Sequence, residues 1–146
     1  MRWTLLLLAM FPLARAGEDA LLRREVEAIS DAHPEILFMA VVYNERTHGA
    51  MTLPTHGGHI RLISVPVSSP RDFYGAITQG LLRTSTVQAI FLVDDGGKLV
   101  TRLNTLKFLN KQAVKFQFLL FSDQTEPSEY LSGRVVLKNE NVVLVE

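Results

Sequence analysis

The chain has 146 residues, of which 15 are basic and 15 acidic, and it contains no cysteine. Because this charge is balanced, it gives no electrostatic footprint for nucleic acid or for an anionic membrane surface, and neither partner is expected. Without cysteine there is no disulfide framework and no residue to carry an N-terminal lipid. Stability must therefore come from a hydrophobic core, which the 47% of hydrophobic residues can supply.

The first 16 residues have the pattern of a cleavable export signal. Arg2 precedes an apolar stretch over residues 3–13, and Ala14 and Ala16 give the small-x-small pattern of a cleavage site. This stretch is only about half as long as a membrane-spanning helix, and we expect no membrane span after cleavage. The sequence therefore predicts a signal peptide over residues 1–16, followed by a single α/β domain (17–146) in the periplasm.

In the first half of this domain, the pattern of apolar residues predicts one helix and two strands. Apolar residues at helical spacing predict a helix over residues 20–32. The nearly unbroken apolar run over residues 35–43 is typical of a strand that is buried on both faces. A polar, glycine-rich loop over residues 44–59 leads to a second strand over residues 60–67, for which Pro66 favours an edge position.

The second half begins with a strong helix-start signal. Ser69 is suited to be the N-cap, Pro70 the first helical residue, and Asp72 the acidic residue of the first turn. The elements expected after this helix are a strand over residues 87–93, a turn over 94–97, a helix over 98–115, a strand over 116–121, and a hairpin of strands over 134–137 and 142–145.

This alternation of helices and strands predicts the fold class. Strands that are separated by helices form a parallel sheet through right-handed crossovers, with helices on both faces. We therefore expect an α/β fold in three layers, with a mostly parallel sheet of four or five strands.

Polar residues stand where the predicted strands end. They are Asn44, Ser68, Ser69, Asp95 and Asp123. In open parallel sheets, ligands bind beyond the carboxyl ends of the strands, so these residues are candidates for a ligand-binding rim. The serines and the N–H groups of the following helix suit an anion or a hydroxyl group, whereas the aspartates suit a cation or sugar hydroxyls. The alternative is a purely structural role, since such residues are common in turns and caps.

The loop over residues 44–59 carries a second candidate site. His48, His56 and His59 lie close together in the sequence, with Met51 between them. Imidazole and thioether ligands suit copper, which an exported protein can meet. The alternative is a solvated loop whose histidines hold no ligand.

Four runs of the sequence also carry a family resemblance. They are VVYNER, LISVPVSSPRDFYGAI, VQAIFLVDDGGKLV and FQFLLFSD, within residues 36–145. Together they resemble one lobe of the periplasmic substrate-binding proteins of ABC transporters, in the branch related to the tryptophan and tyrosine binders. In that branch one strand ends in Tyr-Asn, as at Tyr43-Asn44. The resemblance implies a flavodoxin-like lobe. Members of the family clamp ligand between two lobes, and this chain has room for one.

These observations favour a binding protein over an enzyme. The sequence has no G-x-S-x-G, H-E-x-x-H or P-loop motif, and it suggests no cofactor. The leading hypothesis is a non-enzymatic periplasmic protein that binds a small ligand or a partner protein at the strand-end rim. One alternative is an envelope interaction subunit without a ligand, including a homodimer, that pairs through an exposed strand edge. The other is copper binding by the three histidines.

Overall fold

The computed structural model of the chain describes residues 20–84 and 86–146, so the predicted signal peptide lies outside the described residues. The first described element is a helix over residues 20–32 (α1), as the sequence predicts. The strands are β1 (Phe38–Asn44), β2 (His56–Gly57), β3 (Ile60–Val67), β4 (Ala89–Leu92), β5 (Leu119–Ser122), β6 (Gly133–Lys138) and β7 (Asn141–Val145). The other helices are α2 (Glu45–His48), α3 (Pro70–Gly75), α4 (Leu82–Thr84) and α5 (Leu103–Phe116), and a π-helical segment (Ala76–Leu81) joins α3 to α4.

All seven strands belong to one mixed sheet, in the order β2-β3-β1-β4-β5-β6-β7. The five strands from β3 to β6 in this order are parallel, and β2 and β7 are antiparallel to their neighbours. The α/β class is thus confirmed, but the prediction of four or five strands is wrong. The terminal hairpin extends the main sheet, because β6 pairs with β5, and β2 covers the start of β3.

The core lies on both faces of this sheet because successive side chains of a strand point to opposite sides. Ala40 and Val42 of β1 belong to a hydrophobic cluster with α3, the π-helical segment and α5. Met39 and Val41 belong to a second cluster with α1 and part of the hairpin. Within the described residues, no helix has the length and hydropathy that a bilayer crossing requires.

The elements around α5 begin later than the sequence predicts. The helix expected over residues 98–115 starts at Leu103, because residues 98–101 fold around a buried carboxylate instead. It continues through Phe116, which is apolar but 44% exposed, and ends at Gln117 in a left-handed conformation with φ of 58°. The following strand therefore begins at Leu119 rather than at residue 116.

Candidate functional site

The carboxyl ends of β1 and β3 border a cleft of about 410 Å³. Three of the five predicted rim residues, Asn44, Ser68 and Ser69, line this cleft. They meet because β1 and β3 run in parallel and in register, with Asn44 opposite Val67. Three basic residues also line the cleft, and we call them the basic triad: Arg46, Lys98 and Arg102.

The two serines stand at the start of α3, as their helix-start pattern predicts. The Ser69 hydroxyl oxygen accepts a hydrogen bond from the Asp72 backbone N–H at 3.1 Å and so caps the helix. The Asp72 carboxylate in turn accepts from the Ser68 backbone N–H at 2.9 Å, and the Ser68 hydroxyl lies 3.4 Å from the same oxygen. Because the Ser69 hydroxyl is an acceptor in its cap bond, its proton stays available to a ligand.

Asp95 supports the cleft from within the protein and is not among the residues that line it. Its side chain is buried, with an exposure of 3% for the residue. The carboxylate accepts six hydrogen bonds: from the Asn44 amide, from the Thr101 hydroxyl, and from the backbone N–H groups of residues 98–101. Burial acts to raise the pKa of Asp95, but hydrogen bonds from Val100, Asn44 and Thr101 outweigh it and hold the pKa below its usual value.

This arrangement places part of the basic triad. Residues 98–101 wrap around the Asp95 carboxylate, and Lys98 and Arg102 stand at the two ends of that loop. Asn44 links the loop to β1, because its amide nitrogen donates to Asp95 at 3.0 Å while its oxygen caps α2 through the Arg46 N–H. The buried carboxylate therefore holds together the two segments from which the basic side chains project, the loop and α2.

The cleft is electropositive in composition. None of the described residues that line it is acidic. Among the residues that the structure describes, no carboxylate lies within ion-pair distance of the basic triad. Guanidinium and ammonium groups without an internal counter-ion favour a bound anion, and arginine adds the paired donors that match a carboxylate or phosphate.

The fifth predicted residue, Asp123, belongs to a different part of the molecule. It lines a cavity between α1 and the terminal hairpin. Its carboxylate accepts a hydrogen bond from the Asp94 backbone N–H at 2.7 Å. Burial is the main cause that raises the pKa of Asp123 above its usual value.

Sequence reasoning missed Glu25, which lines the same cavity as Asp123. Glu25 is 6% exposed, although glutamate in a helix usually faces solvent. Its position does carry a signal. It lies three residues after Leu22 and four before Ile29, and both of these side chains are buried, so the helical period places Glu25 on the buried stripe of α1.

The three histidines of the predicted copper site point to separate partners. His48 donates through Nε2 to the Asp94 carbonyl at 2.9 Å. The His56 Nδ1 lies 3.2 Å from the hydroxyl of Thr55, and the His59 Nδ1 lies 2.7 Å from the hydroxyl of Ser30 in α1. Within residues 20–84 and 86–146, no three His, Asp or Glu side chains are placed to share a metal ion. The structure does not bring the three histidines into one ligand set.

No protein-family model matches this chain, and no curated protein sequence is significantly similar to it.

Proposed function

We propose that the chain is a non-enzymatic, exported binding protein that takes a small anionic ligand at the cleft of Asn44, Ser68, Ser69 and the basic triad. The observation that carries this proposal is the convergence of three basic side chains and two serine hydroxyls on a cleft whose lining, in the part of the chain that the structure describes, includes no acidic side chain. The export part of the proposal depends on the signal pattern of residues 1–16.

The chemistry of the cleft suits a carboxylate or a phosphate group. Charge-assisted hydrogen bonds from arginine and lysine to such groups are stronger than neutral ones, and the Ser69 hydroxyl adds a further donor. The cleft volume of about 410 Å³ lies within the range of small-molecule sites. Since a single lobe closes over only one side of a ligand, we expect modest affinity.

The strand order supports a relationship to a single substrate-binding lobe. When the five parallel strands are numbered along the chain, their order in the sheet is 2-1-3-4-5. This is the order of flavodoxin-like folds, in which helices cover both faces and the ligand binds at the carboxyl ends of the strands. We therefore propose a three-layer, flavodoxin-like domain similar to one lobe of the ABC-transporter binding proteins.

Calorimetric titration with inorganic phosphate and with citrate tests the anion site. We expect binding by the wild-type protein and at least about tenfold weaker binding by the double variant Lys98→Ala/Arg102→Ala, because each lost charge-assisted hydrogen bond is worth roughly 1.5–3 kcal/mol. The matched control is Lys107→Ala/Lys111→Ala, which removes two exposed lysines from α5. Equal affinity of both double variants, or no binding of either anion by the wild type, would contradict the proposal.

A specific observation also favours the second candidate, an interaction subunit. Among the described strands, β7 has a hydrogen-bonded neighbour on one side only, and its sequence NVVLV contains no charge and no proline. Natural edge strands are usually protected by such residues, because an open edge pairs readily with another chain. The edge of β7 is therefore suited to antiparallel pairing with a second copy.

Light scattering coupled to size-exclusion chromatography tests this pairing. We expect a dimer for the wild type and a monomer for Val143→Lys, since a lysine on the edge strand opposes pairing. Val114→Lys is the control, because Val114 lies on α5 and is highly exposed, so its replacement should leave the dimer intact. A wild-type protein that stays monomeric at about 100 μM, far above the concentrations at which micromolar dimers form, would exclude this candidate.

A further inference from the structure

A cavity of about 520 Å³ lies away from the cleft, between α1 and the β6–β7 hairpin. Much of its wall is apolar, with Leu21 of α1 on one side and Val135 and Val142 of the hairpin on the other. The two elements are tied together at the hairpin turn, where the Arg24 guanidinium donates to the Glu140 carbonyl at 2.7 Å. This hydrogen bond therefore helps to hold α1 and the hairpin, which form the two sides of the cavity, in place.

Two carboxyl groups line this apolar cavity. Glu25 of α1 is only 6% exposed, and within the described residues its carboxyl group makes no hydrogen bond and no ion pair. Because no described side-chain oxygen is both fully buried and unpartnered, the Glu25 carboxyl oxygens must reach the open space of the cavity. Asp123, at the end of β5, is close enough for its charge to act on Glu25. A carboxyl group that is largely withdrawn from water and faces a cavity without a protein partner favours a ligand that donates hydrogen bonds to it.

We propose that this cavity binds a small organic ammonium ion, whose charged nitrogen lies between Glu25 and Asp123 and whose hydrocarbon part packs on the valines of the hairpin. This site is separate from the proposed anion cleft and does not depend on it. The class of ligand follows from the two types of side chain that line the cavity. The carboxyl groups provide acceptors for N–H donors, and the apolar side chains provide a surface on which a hydrocarbon group can pack.

A metal ion fits the cavity less well than an amine. Within the described residues, no three carboxylate or imidazole groups come together as a metal site requires. An ammonium ion needs fewer oxygen acceptors and gains from apolar contacts that a metal ion cannot use. A neutral ligand brings no positive charge to the carboxyl pair, so it cannot favour the ionised form of Glu25 as an ammonium ion does.

The two basic residues that line the cavity do not replace this cation. Arg134 and Lys138 both line the cavity, but the Arg134 guanidinium donates to the Thr125 carbonyl. The pKa of Glu25 is raised to about 8, first by burial and then by the charge of Asp123, and neither basic residue contributes to it. At neutral pH Glu25 is therefore mostly protonated, and an ammonium ion that binds beside it would favour its ionised form.

The experiment uses benzylamine as the probe, with benzyl alcohol as its neutral isostere and benzoate as an anionic one. We expect calorimetry at pH 7 to show binding of benzylamine that is at least about tenfold tighter than that of either isostere, because only the ammonium group forms charge-assisted hydrogen bonds with the carboxyl groups as Glu25 ionises. Ionisation of Glu25 on binding should release close to one proton per ligand, which repeated titrations in buffers of different ionisation enthalpy detect.

Variants assign this binding to Glu25. Glu25→Gln should weaken benzylamine binding at least about tenfold and abolish the proton release, whereas Glu27→Gln, an exposed neighbour on α1, should change neither. The wild-type protein provides a second measurement that needs no variant: benzylamine should shift the carboxyl carbon resonance of Glu25. Binding of benzyl alcohol as tight as that of the amine, or the absence of amine binding at millimolar concentration, would overturn the proposal.

Discussion

Replacement of Asp95 by asparagine is expected to lower the free energy of unfolding at pH 7 by about 3 kcal/mol. The carboxylate accepts hydrogen bonds from six donors, and an amide of the same shape would turn its own N–H groups towards some of them. Urea unfolding at pH 7 measures this loss directly.

The pH dependence of this loss identifies its cause. The pKa of Asp95 is lowered in the folded protein, so the stability that its charge provides is present above the unfolded value of 3.8 and is lost as the pH falls through the lower folded value. The unfolding free energies of wild type and Asp95→Asn should therefore converge in strong acid. Asp94→Asn is the control, because Asp94 is only partly buried and, within the described residues, its carboxylate accepts just two hydrogen bonds, from the Gly96 N–H and the Thr101 hydroxyl. A loss at Asp95 no larger than that at Asp94 would contradict this account of the loop.

Replacement of Glu25 by glutamine is expected to raise the free energy of unfolding, in contrast to the replacement of Asp95. This gain in stability should grow with pH. In the wild type the pKa of Glu25 rises from 4.5 to about 8 on folding, so the folded state holds this proton more tightly than the unfolded chain. The contribution of Glu25 to the free energy of unfolding is fully present below pH 4.5. It is lost as the pH rises to about 8, and this loss is on the order of 4 kcal/mol. Glutamine has no proton to lose and keeps the side-chain volume.

Thermal and urea unfolding of the two proteins between pH 5 and pH 9, which spans this titration, measure the difference. We expect similar stability at the acidic end and a clearly more stable Glu25→Gln variant at the alkaline end. Glu27→Gln should follow the wild-type profile, because its carboxyl group is exposed. Parallel profiles of wild type and Glu25→Gln over the whole range would show that Glu25 ionises freely, contrary to its burial.

Elements that depend on local signals could be predicted from the sequence. The helix over residues 20–32 and the strand Ile60–Val67 have the predicted bounds, because the periods of their apolar residues are unambiguous. The Ser69 cap was also predictable, since a cap needs only residues a few positions apart. In contrast, the start of α5 depends on the capture of residues 98–101 by the Asp95 side chain, which removes them from the helix.

The candidate site could be predicted only in part. Parallel strands bring Asn44, Ser68 and Ser69 together, and that step follows from strand order. The sequence does not distinguish Asp95, which becomes buried under the cleft, from Asp123, which lines another cavity, because each follows a strand in the same way. The basic triad is dispersed along the chain, and only the folded loops bring its members to one cleft.

The most direct test of the anion cleft is a backbone amide NMR titration of the full chain with inorganic phosphate. We expect saturable shifts of the amide resonances of Ser68, Ser69, Lys98 and Leu99, which border the cleft, while those of β7 stay unchanged. Shifts that do not saturate, or that spread evenly over lysine and arginine positions of the whole surface, would contradict a built anion site.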